Sequence, residues 1–393
     1  MNKSLLLLYT LLPFTVMAED IFTLFGRVTQ SDLYNSKREI IEKNIQATKA
    51  SLYNDGWSIG GGTTYAKFDG GDKGMEYQLV VGKDIMMHHS QLNALLQNSK
   101  NYAKILKKVK ENQIKALIFR LYGEYCITMD SLQTKGELAA IYDTLDKQIQ
   151  KGVELGEFSS NKAIMVNLEF QNLILEISKI ESQLQEYEAK IKSLIPFNGQ
   201  FECKKHTLNL DKLFAPESSV YFDLLQQQKQ SALSKLDVAS NKLQSVNVNM
   251  AYTKELDTQR YTVNLSVPLS FDNTQYEANR ASSMHNYSAL NYQTISFSKR
   301  YTEETRALKT RLSIYKEHVS KTEKSIKKDA NLLIQQSNLR FKAGEESLIE
   351  ILKATQTQLQ IVDTILQFKQ QRHRAVSDYL YNYAINPQGV LQK

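Results

Sequence analysis

Between Pro13 and Pro196 the chain has no proline, and between Pro268 and Pro387 it has none again. Proline is the residue that a helix interior excludes most strongly, so both stretches are open to helices of unusual length. Half of the sixteen glycines fall between Gly56 and Gly82, which leaves the long segments nearly free of breakers. Within each half, one short break stands out. Gly156-Glu157-Phe158-Ser159 and Gly344-Glu345-Glu346-Ser347 share the pattern Gly-Glu-x-Ser and lie 188 residues apart. The same offset relates Leu173 to Ile361, Ile174 to Val362, Ile177 to Ile365 and Ile180 to Phe368. Those positions keep to one helical stripe, and a fixed offset over several positions indicates internal duplication.

Read in order, residues 1–18 have Lys3, an apolar run from Leu5 to Leu12 and a small residue before Glu19-Asp20, the pattern of a secretory signal cleaved after Ala18. No cysteine lies near that point, so no lipid attachment is expected there. A first repeat is expected over 19–195, an irregular connector over 196–216 between two prolines, and a second repeat over 217–393. Each repeat carries a helix, a β-hairpin, a long helix, a reversal and a further helix. In the first, helices are expected over about 27–54, 87–153 and 159–195. The strands alternate through Trp57, Ile59, Gly61, Thr63 and Tyr65, and through Tyr77, Leu79 and Val81.

In the second repeat a helix is expected over 217–244, then strands through Val246, Val248, Met250 and Tyr252 and through Tyr261, Val263, Leu265 and Val267. One uninterrupted helix is expected from 273 to 341, with a seven-residue seam of Thr305, Leu312, Val319, Ile326 and Leu333 beside Tyr301, Leu308 and Tyr315. At 1.5 Å per residue such a helix is about 105 Å long. A last helix covers about 347–384.

A clean alternation gives each strand one apolar and one polar face. In a secreted chain without apolar helices, that suggests a sheet facing lipid, where only a closed barrel satisfies every backbone group. The smallest familiar barrels need about eight strands, so four per chain require several copies to share one barrel. The long helices then lie outside the bilayer on the periplasmic side, as a conduit.

The net charge of +7 rests on 49 basic and 42 acidic residues, and even the densest cluster, Lys107-Lys108 with Lys110, reads as a solvated helix face. No nucleic-acid partner is expected. The histidines are scattered, and the one pair, His88-His89, points about 100° apart on a helix, poor geometry for one metal ion. With no nucleophile–base set or phosphate loop, neither an enzyme nor a cofactor is expected. Cys126 reads as a small buried hydrophobe, with a bond to Cys203 as the alternative.

From about residue 27 to 385 the chain resembles the TolC outer-membrane efflux channel family. Arg340-Phe-Lys-Ala-Gly344-Glu-Glu-Ser-Leu-Ile-Glu350-Ile-Leu-Lys-Ala-Thr resembles the second periplasmic tip of that family, and Val263-Asn-Leu-Ser-Val-Pro-Leu269 the strand entering the second long helix. The resemblance implies a mainly α fold with four membrane strands per chain, a homotrimer sharing a twelve-stranded barrel, and a periplasmic tunnel of long helical hairpins. It also implies partners: outer-membrane lipid, a periplasmic adaptor and an inner-membrane pump of the RND, MFS or ABC type. A passive tunnel takes its cargo from those partners, with small molecules or metal ions ahead of secreted proteins. A secreted coiled-coil or adhesin would share the helices and the duplication but not two hairpins with apolar faces.

The same resemblance implies the site residues. Gly156, Glu157, Ser159, Gly344, Glu345 and Ser347 are expected at the adaptor contact, and the Glu after each glycine departs from the Leu or Thr common there. Glu350 matches an acidic ring at the pore constriction, while the position of a second ring holds Lys353. A closing latch maps onto Lys162, Phe341 and Glu346, with acid and base exchanged and the tyrosine hydroxyl missing.

Overall fold

The computed structural model describes residues 18–52, 56–67, 71, 73–87, 89–204, 206–240, 245–255, 258–267, 274–316, 320–343 and 348–392. Among them the order is β1 (Ala18–Glu19), α1 (Ile21–Gly26), α2 (Asp32–Leu52), β2 (Trp57–Lys67), β3 (Lys73–Met86), α3 (His89–Glu154), α4 (Ser160–Leu194), β4 (Gln200–Phe201), β5 (Thr207–Leu208), α5 (Leu210–Leu213), α6 (Val220–Ala239), β6 (Ser245–Lys254), β7 (Gln259–Ser266), α7 (Thr274–Ile314), α8 (Ser320–Lys342), α9 (Leu348–Asn382), α10 (Pro387–Val390) and β8 (Leu391–Gln392). The protein is mainly α with a four-stranded sheet, as its sequence predicts. Among the described residues no helix is long and apolar enough to cross a membrane.

The chain forms two compact units. One comprises residues 36–110 and 219–303, the other residues 1–35, 111–218 and 304–393. In the first, β2, β3, β6 and β7 form an antiparallel sheet in the order β2-β3-β6-β7, so β2 and β7 are its two edges. The register pairs Ile59 with Val81, Val81 with Met250 and Met250 with Val263. Side chains alternate across a pleat, so one continuous face carries Trp57, Ile59, Tyr65, Met75, Tyr77, Leu79, Val248, Met250, Tyr261, Val263 and Leu265. Ser58, Gln78, Asp84, Asn247, Asn249 and Asn264 occupy the opposite face, where Asn247 donates to Asp84 at 2.7 Å. On that polar face Gly82 lies between its cross-strand partners, and a Cβ there would meet Asn249 Oδ1 at 2.1 Å and Ser58 Oγ at 2.5 Å.

In the second unit the helices pack by heptad-like spacing. On α4 the buried positions are Val166, Leu173, Ile180, Leu184 and Ile191, largely seven apart. Two of them, Val166 and Leu173, join Leu138, Tyr142, Leu145 and Ile149 of α3, Ile334 of α8, and Ile351, Leu352 and Ala354 of α9 in one core. Of the duplicated stripe, Leu173 and Ile180 are buried, whereas Ile174 and Phe368 stay largely exposed.

Two expectations need restating. Of the helix predicted from 273 to 341, residues 274–314 form α7, Tyr315 and Lys316 have π-helical backbone and Ser320–Lys342 form α8, while 317–319 lie outside the described residues. Along α7 the predicted seam holds, with Tyr301, Leu308, Leu312 and Tyr315 buried. Further on, Ile326 of the seam is half-buried, but Leu333 is exposed while Ile334 and Ser337 are buried. The second correction concerns Cys126, which is not a lone buried hydrophobe. It is bonded to Cys203, with Cα atoms 5.5 Å apart, and so fastens the connector to α3.

That connector is held at further points. Glu202 N–H donates to Glu19 O at 3.0 Å, β1 pairs in parallel with β4, and the Tyr122 hydroxyl donates to the Glu202 carbonyl. Lys135 of α3 is buried and reaches two other helices, with Nζ 2.6 Å from Glu176 of α4 and 2.9 Å from Asp363 of α9. Burial alone would push its ammonium down, but those carboxylates outweigh it and hold the group above the ordinary lysine value.

Candidate functional site

Two places in the molecule carry features that packing alone does not require. The first is the sheet. Ordinary antiparallel sheets turn their apolar face to a core. Here Trp57, Ile59 and Tyr65 of β2, Tyr77 and Leu79 of β3, Met250 of β6, and Tyr261, Val263 and Leu265 of β7 are all exposed. From Trp57 to Tyr65 the strand advances eight residues, about 26 Å at 3.3 Å per residue. That length matches the apolar band of an outer-membrane barrel, roughly 25 Å tall between two aromatic girdles. At one end the Lys83 ammonium lies 5.2 Å from the Trp57 ring centre, and midway along the span, level with Gly61 and Leu79, Tyr252 and Tyr261 pack with ring centres 5.1 Å apart.

The second place is the reversal between α3 and α4. Gly156 takes φ +78°, the left-handed conformation that ends a helix and that side chains disfavour. Glu157 N–H and Phe158 N–H both donate to the Gly152 carbonyl, at 2.7 and 3.2 Å, closing the last turn of α3. This brings the Phe158 ring so near the backbone that a Cβ on Gly152 would sit 2.2 Å from it. Phe158 stacks on Phe341 of α8, with ring centres 5.9 Å apart and 16° between planes. On α4, Lys162 Nζ lies 5.3 Å from the Phe158 ring centre. Thus Phe158 touches both Phe341 and Lys162, two of the residues expected in a latch.

Of the other expected residues, Glu157 and Ser159 are exposed, and Ser159 caps α4 without a side-chain hydrogen bond. Gly344, Glu345, Glu346 and Ser347 lie outside the described residues, and with them the Lys162–Glu346 pair. Glu350 and Lys353 are both exposed on the first turns of α9, while Ile351, Leu352, Ala354 and Thr355 between and after them are buried. Sequence reasoning missed Phe158 and Gly152. The variable position of Gly-Glu-x-Ser, Phe in one copy and Glu in the other, was the available signal.

Histidine chemistry does not converge. His89 and His285 are exposed, and His88 and His318 lie outside the described residues. Among the described residues no cluster of His, Cys, Asp or Glu could hold a metal ion. His373 of α9 is docked on α3: its Nε2 lies 3.0 and 3.1 Å from the Phe119 and Arg120 carbonyl oxygens, to which it donates. Gly123 makes room for it, since a Cβ there would lie 2.1 Å from the ring. Burial pushes this imidazole below its ordinary value.

No protein-family model and no curated protein sequence matches the chain. Solved structures do. The outer membrane protein VceC of Vibrio cholerae superposes with a TM-score of 0.75 at 10% identity, over 93% of this chain and 96% of that one. The transmembrane channel protein CusC superposes at 0.72 and 11% identity, over 94% and 92%. The outer membrane channel CmeC of Campylobacter jejuni gives 0.72 at 10% identity, over 93% and 86%. This chain therefore has the fold of the TolC-like outer-membrane channels, along nearly its whole length.

Proposed function

We propose that the protein is the outer-membrane channel of a tripartite export assembly, conducting cargo passively to the outside. One observation carries the reading: a sheet whose apolar face is exposed and whose two edge strands, β2 and β7, pair with nothing further among the described residues. An unpaired edge in lipid costs several kcal/mol for each unsatisfied group, so β7 of one copy joins β2 of the next. Three copies give a twelve-stranded barrel with its apolar face to lipid and its Asn- and Gln-bearing face to the lumen. Ile164, Leu168 and Leu175 form an exposed apolar stripe on α4, which supports packing between copies.

The helical part then lies in the periplasm as two repeats, 19–195 and 217–393, joined by the connector at 196–216. Its Gly156 and Gly344 reversals meet a periplasmic adaptor, through Glu157, Ser159, Glu345 and Ser347, and the adaptor links the channel to an inner-membrane pump. Glu350 forms an acidic ring at the constriction and Lys353 a basic one beside it. Lys162 with Glu346, next to the Phe158–Phe341 stack, closes the tip. Small molecules or metal ions are the proposed cargo, and no enzymatic step is assigned.

The test is purification from outer membranes and reconstitution in planar bilayers. A heat-modifiable trimer with single-channel conductance is expected, and Glu350→Gln and Lys353→Gln shift its ion selectivity in opposite directions. A chain released without detergent, migrating as a non-conducting rod, would overturn the reading in favour of a secreted structural protein.

A further inference from the structure

On the apolar face of the sheet the register leaves four charged side chains, Lys67, Lys73, Lys83 and Lys254, and no carboxylate among the described strand residues. The carboxylates of the same strands, Glu76 and Asp84, take the opposite face. Charge is therefore segregated by face, and the face that meets lipid is purely cationic. Position matters as well. Lys83 belongs to the end where β3 runs on towards α3, and its ammonium is engaged with the Trp57 ring. The other three lie towards the hairpin turns: Lys254 is level with Tyr77, just past Tyr252 and Tyr261, and Lys67 and Lys73 lie one step past Tyr65. Lys67 and Lys73 are direct cross-strand partners, and both are exposed.

Like charges directly opposite each other destabilise an antiparallel pair, so an anion lying between the two ammonium groups would stabilise the hairpin. Asp69 and Asp72, between the two strands in sequence, lie outside the described residues. A lysine on a lipid-facing strand rests its methylene stem on apolar neighbours and holds its ammonium at the headgroup layer. There a lipid phosphate supplies negative charge and several acceptor oxygens, and lysine binds phosphate as a point charge. Tyr77, level with Lys254, and Tyr65, between it and the Lys67–Lys73 pair, set the depth, because aromatic girdles mark the headgroup level of a barrel.

We propose that Lys67, Lys73 and Lys254 bind the phosphate groups of anionic lipids in the leaflet reached by the hairpin turns, one such site per chain. The inference rests on the barrel reading above. The partner is a lipid bearing a headgroup phosphate, recognised by charge at the rim of an aromatic girdle.

The experiment uses the full-length trimer in detergent, with native mass spectrometry against bisphosphorylated lipid A and, separately, against phosphatidylcholine. The wild type should retain lipid A, with one to three molecules per trimer, and phosphatidylcholine at least tenfold less. The variant Lys67→Gln/Lys73→Gln/Lys254→Gln should lose about tenfold in lipid A retention, while Lys83→Gln, at the other end, keeps it. Added glycerol phosphate should not displace the lipid, since it lacks the acyl chains that reach the apolar band. Equal retention by the triple variant, or equal retention of both lipids, would overturn the proposal. Trimers that form and conduct but retain no lipid A sink this inference alone, whereas failure to form any trimer sinks the barrel reading with it.

Discussion

The sheet and the helical core obey one rule with opposite results. In the α3–α4–α8–α9 core, Leu138, Tyr142, Ile149, Val166 and Leu173 are buried against one another. In the sheet, Ile59, Leu79, Met250 and Val263 are turned outward, and Asn247, Asn249 and Asn264 line the other side. Apolar area avoids water in both cases. The helices find an apolar partner within the chain, whereas the sheet finds none among the described residues and needs one from outside. A region that inverts the usual inside and outside thus reports a different solvent, and nothing about weaker packing.

Four experiments break or sharpen that contrast. The largest effect is expected from the cross-link, which belongs to the helical unit alone. Replacing Cys126 and Cys203 by Ser frees a loop of 77 residues, for which chain entropy gives about 4.5 kcal/mol. Protease cutting within 196–216 should rise steeply while the barrel strands stay protected. Unchanged cutting would mean that the Glu19, Tyr122 and Glu202 contacts hold the connector without the bond.

Next come two neighbouring residues of β3 on opposite faces. Leu79→Arg should cost roughly 2–4 kcal/mol in barrel stability near the bilayer centre, and Gln78→Arg close to nothing. Heat-modified gel migration of outer-membrane trimers separates them. Equal damage from both substitutions would mean that the sheet has no lipid side.

At the tip, Phe158→Ala removes an aromatic pair worth about 1 kcal/mol beyond its area, together with the seat of the Lys162 ammonium. Gly152→Val should act in the same direction by displacing the ring. If the proposed tip closure holds, both raise antibiotic leakage. Lys162→Glu/Glu346→Lys, by contrast, should leak no more than wild type if the swapped charges pair.

The smallest effect is that of His373. Its folded value is depressed, so protonation favours the unfolded chain. The stabilisation is present above the unfolded value of about 6.5 and is lost as pH falls below it. Glu124 pulls the group upward and Arg120 pushes it down, and neither reverses the direction set by burial. Chemical denaturation at pH 7.5 and 5.5 should show a loss on the order of 1 kcal/mol that His373→Phe removes. An identical loss in the variant would assign the pH dependence to other groups.

Periodicity made the elements legible. Strand alternation from Trp57 to Tyr65 and from Tyr261 to Val267, and the breakers around Gly156, come from local preferences that act within a few residues, so one sequence suffices to read them. The apolar faces of the strands could be read for the same reason. What the sequence left open depended on neighbours far along the chain. Cys126 meets Cys203 only because the connector folds back on α3, and Phe158 becomes the centre of the tip only once α8 brings Phe341 to it. Past Ile326 the buried position passes from the expected Leu333 to Ile334, which no heptad count could foresee, because packing of Ile334 in the core overrides the local repeat there. The amino-acid pattern determined which faces must leave water. The tertiary structure decided which of them meet inside the chain and which, on the sheet, stay exposed.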